Sequence, residues 1–147
     1  MPLTPTPPVT AGLVPLPMRV LVVDDEPLIR WSICAALGAE GFDAVSAADP
    51  VAARGMAAEW PPPRVVLFDL RSPDQDGLEV LSDMRRIHPE CRFVIMTTAR
   101  HCAIRYAGAD GVALIEKPFD LAQVVRLVRE LADGTANASV PVPLPRG

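Results

Sequence analysis

The sequence predicts an α/β protein built on a doubly wound parallel sheet. Short apolar runs, rich in β-branched residues, occupy residues 20–23, 65–68 and 112–115. Strands buried on both faces of a parallel sheet are expected to be such continuous apolar runs. Patterns with helical spacing separate the runs, and strand and helix alternate five times. This alternation is typical of a sheet with helices on both faces.

The remaining elements follow from helix and turn signals. Pro27 suits the first turn of a helix, the prolines at 61–63 end another helix, and Asp120 is a candidate N-cap. The predicted helices cover about residues 27–38, 49–59, 78–87 and 121–131, and the second and fourth strands cover about residues 42–46 and 92–96.

Composition limits the classes of function. The 147 residues are half apolar, which is enough for one domain with a proper core. The net charge of −4, with both signs interspersed, argues against direct nucleic-acid binding and against a membrane-binding patch. The cysteines at 34, 91 and 102 show no CxxC spacing and favour reduced thiols of the cytoplasm. We therefore expect a soluble cytoplasmic protein without a secretory signal or membrane helix.

The prolines divide the chain into three parts. They are concentrated in residues 1–17 and in the C-terminal segment, which we expect to be disordered tails. The predicted domain organisation is a tail at 1–17, a folded domain at 18–132 and a second tail at 133–147.

Charged residues follow three of the strands. Asp24 and Asp25 come after the first run, Asp69 after the second and Lys117 after the last. Because parallel strands end at the same edge of a sheet, these side chains should converge there. The topology predicts an anionic pocket that holds a divalent cation beside a nucleophilic carboxylate.

Four motifs in this order resemble the receiver domain of two-component response regulators over about residues 18–132. They are MRVLVVDDEP at 18–27, VVLFDLRSPDQDGLEVL at 65–81, FVIMTTA at 93–99 and IEKPF at 115–119. The resemblance, closest to receivers of the nitrogen-regulation type, implies a flavodoxin-like sheet with the strand order 2-1-3-4-5. It also implies a shortened fourth helix, because the interval between Thr98 and Lys117 is brief for the family.

The resemblance implies a magnesium ion as cofactor. Its ligands would be carboxylates of Asp25 and Asp69, the backbone carbonyl of Arg71 and a water held by Asp24. Oxygen ligands of this kind suit Mg²⁺, which keeps several waters of its own.

It likewise implies that Asp69 is the phosphoacceptor, a nucleophile that forms an acyl phosphate. Thr98 would donate a hydrogen bond to one phosphoryl oxygen and Lys117 would neutralise another. Thr97 is the alternative hydroxyl, and alternation along the strand allows only one of the two to face the site. The Thr98-Ala99 pair favours Thr98, and Pro118 resembles the proline that is often in cis in this family.

Our leading hypothesis is a single-domain response regulator that is not an enzyme beyond its own phosphotransfer and dephosphorylation. Expected partners are a sensor histidine kinase or a histidine phosphotransfer protein, and a separate downstream effector protein or a second copy of the chain. The sequence does not choose between output on a partner, dimerisation and service as a phosphate relay.

Two other readings remain open. Leu114 replaces the aromatic switch residue of the family, three residues before the lysine, so a degenerate receiver could bind a partner without phosphorylation. A phosphatase of the haloacid-dehalogenase kind also uses an aspartyl nucleophile and magnesium. That chemistry requires a second acid two residues after the nucleophile, where this chain has Arg71.

Overall fold

The computed structural model describes residues 17–59, 62–69, 75–98 and 112–133, which form a five-stranded parallel sheet in the order β2-β1-β3-β4-β5. The strands are β1 (Arg19–Val23), β2 (Asp43–Ala47), β3 (Val65–Asp69), β4 (Arg92–Thr97) and β5 (Val112–Glu116). The helices are α1 (Pro27–Ala39), α2 (Pro50–Ala57), α3 (Gln75–Ile87) and α4 (Leu121–Asp133). The predicted fold class and strand order are confirmed. The shortened helix predicted between β4 and β5 lies outside the described residues, as do residues 1–16 and 134–147 of the predicted tails.

The sheet separates two apolar cores. Successive strand residues point to opposite faces, so each central strand contributes to both cores. One core joins the sheet to α1 and α4 through residues such as Val22, Leu67 and Val128. The other joins it to α2 and α3 through residues such as Phe68 and Met84. Burial on both faces explains why the central strands read as continuous apolar runs.

A glycine ends α1 and sets the start of β2. Gly41 has a φ of 96°, the left-handed conformation that glycine adopts without steric cost. Its N–H donates to the carbonyl of Gly38 at 3.0 Å, and the N–H of Phe42 donates to that of Leu37 at 3.1 Å. This is the Schellman pattern of helix ends. Because Phe42 belongs to this turn, β2 begins at Asp43, one residue later than predicted.

Side chains fix the starts of α2 and α4. Asp49 accepts a hydrogen bond from the N–H of Ala52 at 2.8 Å, so it is the N-cap of α2 rather than its first residue. At α4 the N–H of Asp120 donates to Oε1 of Gln123 at 3.0 Å, the return half of a capping box. Asp120 directly precedes this helix and its carbonyl accepts from the N–H of Val124 at 3.3 Å, the position predicted for the N-cap.

Within the described ranges, no helix is long and apolar enough to cross a membrane.

Candidate functional site

Three carboxylates meet where β1 and β3 end side by side. One oxygen each from Asp24, Asp25 and Asp69 lies within 4.8 Å of the others. The Asp24 side chain is fully buried and that of Asp69 is 6% exposed, whereas Asp25 is exposed. The convergence predicted from the parallel topology therefore holds for the acidic residues.

Lys117, just beyond β5, completes the cluster. Its Nζ atom lies 2.9 Å from Oδ1 of Asp69 and 3.2 Å from Oδ2 of Asp24. Its backbone N–H donates to the carbonyl of Thr97 at 2.9 Å, which holds the residue against the end of β4. The Lys117–Pro118 peptide bond is cis, as the resemblance implied.

The cluster perturbs the ionisation of both members of the closest pair. Burial raises the pKa of Asp69, and the charges of Asp24 and Asp25 add to this, although the hydrogen bond from Lys117 opposes it. Burial by itself lowers the pKa of Lys117, but the hydrogen bond to Asp69 and the charge of Asp24 outweigh burial, so the net shift is upward. The upward shift of Lys117 follows from one ammonium among three carboxylates, whereas burial is the largest cause of the upward shift of Asp69.

The loop that carries the acidic pair is held by its own hydrogen bonds. Oδ1 of Asp24 accepts from the N–H of Glu26 at 2.9 Å, and the N–H of Asp24 donates to the carbonyl of Ala47 on β2 at 3.2 Å. The carbonyl of Asp24 accepts from Nη1 of Arg30, on the first turns of α1, at 2.7 Å. Sequence reasoning missed Arg30. The signal available in the sequence was a long cationic side chain six residues after Asp24, near enough along the chain to contact the loop that carries Asp24.

Alternation along β4 separates the two candidate hydroxyl residues. Met96 pairs with Asp69 and belongs to the core on the α1 and α4 side. Thr97, the last residue of β4, falls on the face opposite to Asp69, and the same alternation extended one residue past the strand predicts Thr98 on the face of Asp69. Thr97 is buried and Thr98 is exposed. The role of Thr98 stays a prediction.

The donor set fits a hard divalent cation. Carboxylate oxygens grouped within 4.8 Å are the ligands Mg²⁺ prefers, and the exposure of Asp25 leaves room for the waters that this ion keeps. Asp24, Asp25 and Asp69 would hold the ion. Arg71, whose carbonyl was also predicted as a ligand, lies outside the described residues.

The residue at the expected switch position is part of the core. Leu114, in β5, is 2% exposed and belongs to the cluster on the α2 and α3 side. It pairs in register with Ile95 of β4. Its side chain therefore packs inside the protein rather than at a surface where a partner would contact it.

The model of the response regulator receiver domain matches residues 20–129, which is most of the chain. The chain therefore belongs to the receiver domain family of response regulators, as the four sequence motifs indicated. The match includes all but the first residue of β1 and the whole of the other four strands, together with Asp24, Asp69 and Lys117.

Two curated relatives are regulators from mycobacteria. The probable transcriptional regulatory protein TcrX of Mycobacterium tuberculosis (strain ATCC 25618 / H37Rv) is 36% identical over 126 residues, 84% of this chain and 53% of the relative. The response regulator MprA of Mycobacterium sp. (strain KMS) is 33% identical over 128 residues, 86% of this chain and 55% of the relative. The chain spans about half the length of the curated relatives it matches.

Solved structures agree with this fold. The receiver domain of nitrogen regulatory protein C is 30% identical with a TM-score of 0.70, covering 80% of this chain and 95% of that one. A CheY-like receiver domain protein from Methanospirillum hungatei JF-1 is 24% identical with a TM-score of 0.68, covering 81% of this chain and 96% of that one. The second likeness shows the fold alone.

Proposed function

We propose that this domain is a phosphoacceptor in two-component signalling, with Asp69 as the residue that receives the phosphoryl group. One observation carries the proposal: oxygens of three carboxylates at the ends of two neighbouring strands lie within 4.8 Å of one another, and the ammonium of Lys117 bridges two of these carboxylates. Such a cluster destabilises a folded protein unless a bound cation neutralises its charge, because like charges repel and burial weakens their hydration.

The proposed reaction is transfer of a phosphoryl group from a phosphohistidine. An Asp69 oxygen forms a bond to phosphorus as the phosphorus–nitrogen bond breaks, and the electron pair of that bond returns to the imidazole. Bound Mg²⁺ would supply neutralisation of the phosphoryl charge, which is the main requirement of this chemistry.

Lys117 and Thr98 have separate parts in this proposal. Lys117 already contacts Oδ1 of Asp69, so its ammonium is close enough to neutralise a phosphoryl oxygen once the group is attached to Asp69. Thr98, the residue just after β4, would donate its hydroxyl to another phosphoryl oxygen.

The partners and the output follow from this chemistry as proposals. The donor is a histidine kinase or a histidine phosphotransfer protein, and the domain signals in the cytoplasm through protein–protein contacts. It acts without a catalytic activity other than its own phosphorylation and dephosphorylation. Since the curated relatives are about twice as long, the single-domain organisation predicted from the sequence stays a prediction.

A second candidate function is supported by Leu114. An aromatic switch residue such as tyrosine has a polar group that can be buried in one state and exposed in the other. The buried aliphatic side chain of Leu114 has no such group. This favours an adaptor that binds its partner in one conformation whether or not Asp69 is phosphorylated.

The test is the intact mass of the protein after incubation with acetyl phosphate and magnesium. The proposal expects one added phosphoryl group. This adduct should not form when a chelator has removed the magnesium, nor in Asp69→Asn. Asp83→Asn is the matched control, because Asp83 lies on α3 in a surface ion pair with Arg86, and it should be labelled like the wild type. Folded protein without any adduct would contradict the phosphoacceptor and favour the adaptor.

A further inference from the structure

We propose that Arg30 is a positioning residue for the cation site, because its side chain holds the loop that carries Asp24 and Asp25 in the geometry that binds magnesium. This inference rests on the proposed function. It assigns a role to a residue outside the group of side chains that would touch the ion or the phosphoryl group.

Arg30 contacts the acidic loop twice. Its Nη1 atom donates to the carbonyl of Asp24 at 2.7 Å, and its backbone N–H donates to the carbonyl of Glu26 at 3.0 Å. The second contact is the ordinary first hydrogen bond of α1. The first has no counterpart in a regular helix, and it ties the end of β1 to the start of α1 across the loop.

Burial makes the contact with Asp24 consequential. Asp24 is 1% exposed, and a buried backbone carbonyl requires a hydrogen-bond partner. If the guanidinium is removed, the carbonyl must find water as its partner, and the peptide is free to turn because the hydrogen bond from Arg30 no longer holds it in its present orientation. The same turn displaces the Asp24 carboxylate, which also accepts from the N–H of Glu26 at 2.9 Å, and the neighbouring Asp25.

Electrostatics makes the opposite prediction, so the direction of the effect is decisive. Arg30 is a positive charge close to a site that would bind a cation. Its removal should strengthen Mg²⁺ binding if charge alone matters, since like charges repel. If Arg30 acts by positioning, its removal should weaken Mg²⁺ binding. Groups that orient ligands without touching the metal contribute on the order of 10-fold to 100-fold in affinity.

The experiment measures Mg²⁺ affinity by isothermal titration calorimetry on chelator-treated protein, below the melting temperature of each variant. Arg30→Ala should bind Mg²⁺ about 10-fold more weakly than the wild type. Arg30→Lys, which keeps a donor of nearly the same reach, should recover most of the affinity. Arg54→Ala is the control, because Arg54 is a half-exposed arginine on α2 paired with Asp83, and it should match the wild type.

Two results would overturn the proposal. The first is an affinity in Arg30→Ala that equals or exceeds that of Arg54→Ala. The second is a lysine variant as weak as the alanine variant, which would show that the hydrogen bond to the carbonyl is not responsible. Circular dichroism of each variant confirms that folded proteins are compared, so that a loss of stability alone does not imitate the effect.

Phosphorylation in parallel separates this proposal from the one on which it rests. A wild type that forms the Asp69 adduct, combined with unchanged Mg²⁺ affinity in Arg30→Ala, rejects the role of Arg30 and leaves the phosphoacceptor standing. A wild type that binds Mg²⁺ but forms no adduct, combined with weak binding in Arg30→Ala, supports the role of Arg30 and rejects the phosphoacceptor.

Discussion

The ammonium of Lys117 lies 2.9 Å from Oδ1 of Asp69, although 48 residues separate them in the sequence. The same nitrogen is 3.2 Å from Oδ2 of Asp24. The lysine and a metal ion offer the same carboxylates alternative counter-charges.

Replacing Lys117 should therefore strengthen metal binding. In Lys117→Gln the carboxylates lose a nearby positive charge, and we expect Mg²⁺ affinity to rise about 10-fold, equivalent to about 1.4 kcal/mol. Titration calorimetry measures the change. Arg126→Gln, at an exposed position of α4, removes a charge of the same sign from a helix that supplies no residue of the site and should have no effect. Weaker Mg²⁺ binding in Lys117→Gln would show that the lysine supports the ligands instead of competing with the ion.

Asp69→Asn should stabilise the metal-free protein at neutral pH. Burial and the neighbouring acidic charges raise the pKa of Asp69, so the folded state binds a proton more tightly than the unfolded state. Stability is then lost as the pH rises through the raised pKa, and the ionised carboxylate is a cost at pH 7. Removing that cost should add roughly 0.5 to 2 kcal/mol to the free energy of unfolding.

The gain should shrink as the pH falls through the ordinary aspartate pKa of about 3.9, because below that pH the wild-type carboxyl is protonated in both states. Urea unfolding in the presence of a chelator measures the difference in the free energy of unfolding between the variant and the wild type. The series runs from pH 7 down to the lowest pH at which both proteins stay folded. Asp83→Asn on α3 is the control. A variant that is less stable than the wild type at pH 7, or a gain that does not vary with pH, would contradict the assigned cause.

Substitutions of Thr97 and Thr98 should have different effects, one on stability and the other on the rate of phosphorylation. Thr98→Ala removes one proposed hydrogen bond to the phosphoryl group and should slow adduct formation about threefold to 10-fold, the value of a single hydrogen bond. Thr97→Val keeps the side-chain volume on the opposite face, where Thr97 is 1% exposed, and should change stability without changing the rate. Equal labelling rates for Thr98→Ala and the wild type would remove Thr98 from the site.

Cys91 should resist alkylation in the folded protein. Burial raises the pKa of its thiol to about 12. Only the thiolate reacts, so at neutral pH its labelling by iodoacetamide should be about 1000-fold slower than for a thiol of ordinary pKa. Peptide mass spectrometry with and without urea measures the ratio. Rapid labelling of Cys91 under native conditions would show that the loop between α3 and β4 opens readily.

Topology explains why much of this site was predictable. Asp24, Asp69 and Lys117 each come directly after, or at the end of, a strand, and parallel strands bring such positions to one edge. The run itself identifies the strand because both of its faces are buried. The position of each residue in the site followed from this rule without knowledge of any side-chain contact.

The remaining features depend on hydrogen bonds that no pattern encodes. The start of β2 was misplaced by one residue because the turn at Gly41 includes Phe42. The contact between Arg30 and the carbonyl of Asp24 was missed because a surface arginine and a positioning arginine on a helix look identical in sequence. The double contact of Lys117 likewise does not follow from the sequence, since topology gives the edge of the sheet but not the distances between side chains.

The most direct test of the central claim locates the phosphoryl group. The protein is phosphorylated with acetyl phosphate and magnesium, reduced with borohydride to convert an acyl phosphate to an alcohol, and digested for peptide mass spectrometry. We predict reduction at Asp69, with Asp24 and Asp25 unchanged. Reduction at another aspartate, or none in protein that is folded and binds Mg²⁺, would contradict Asp69 as the phosphoacceptor.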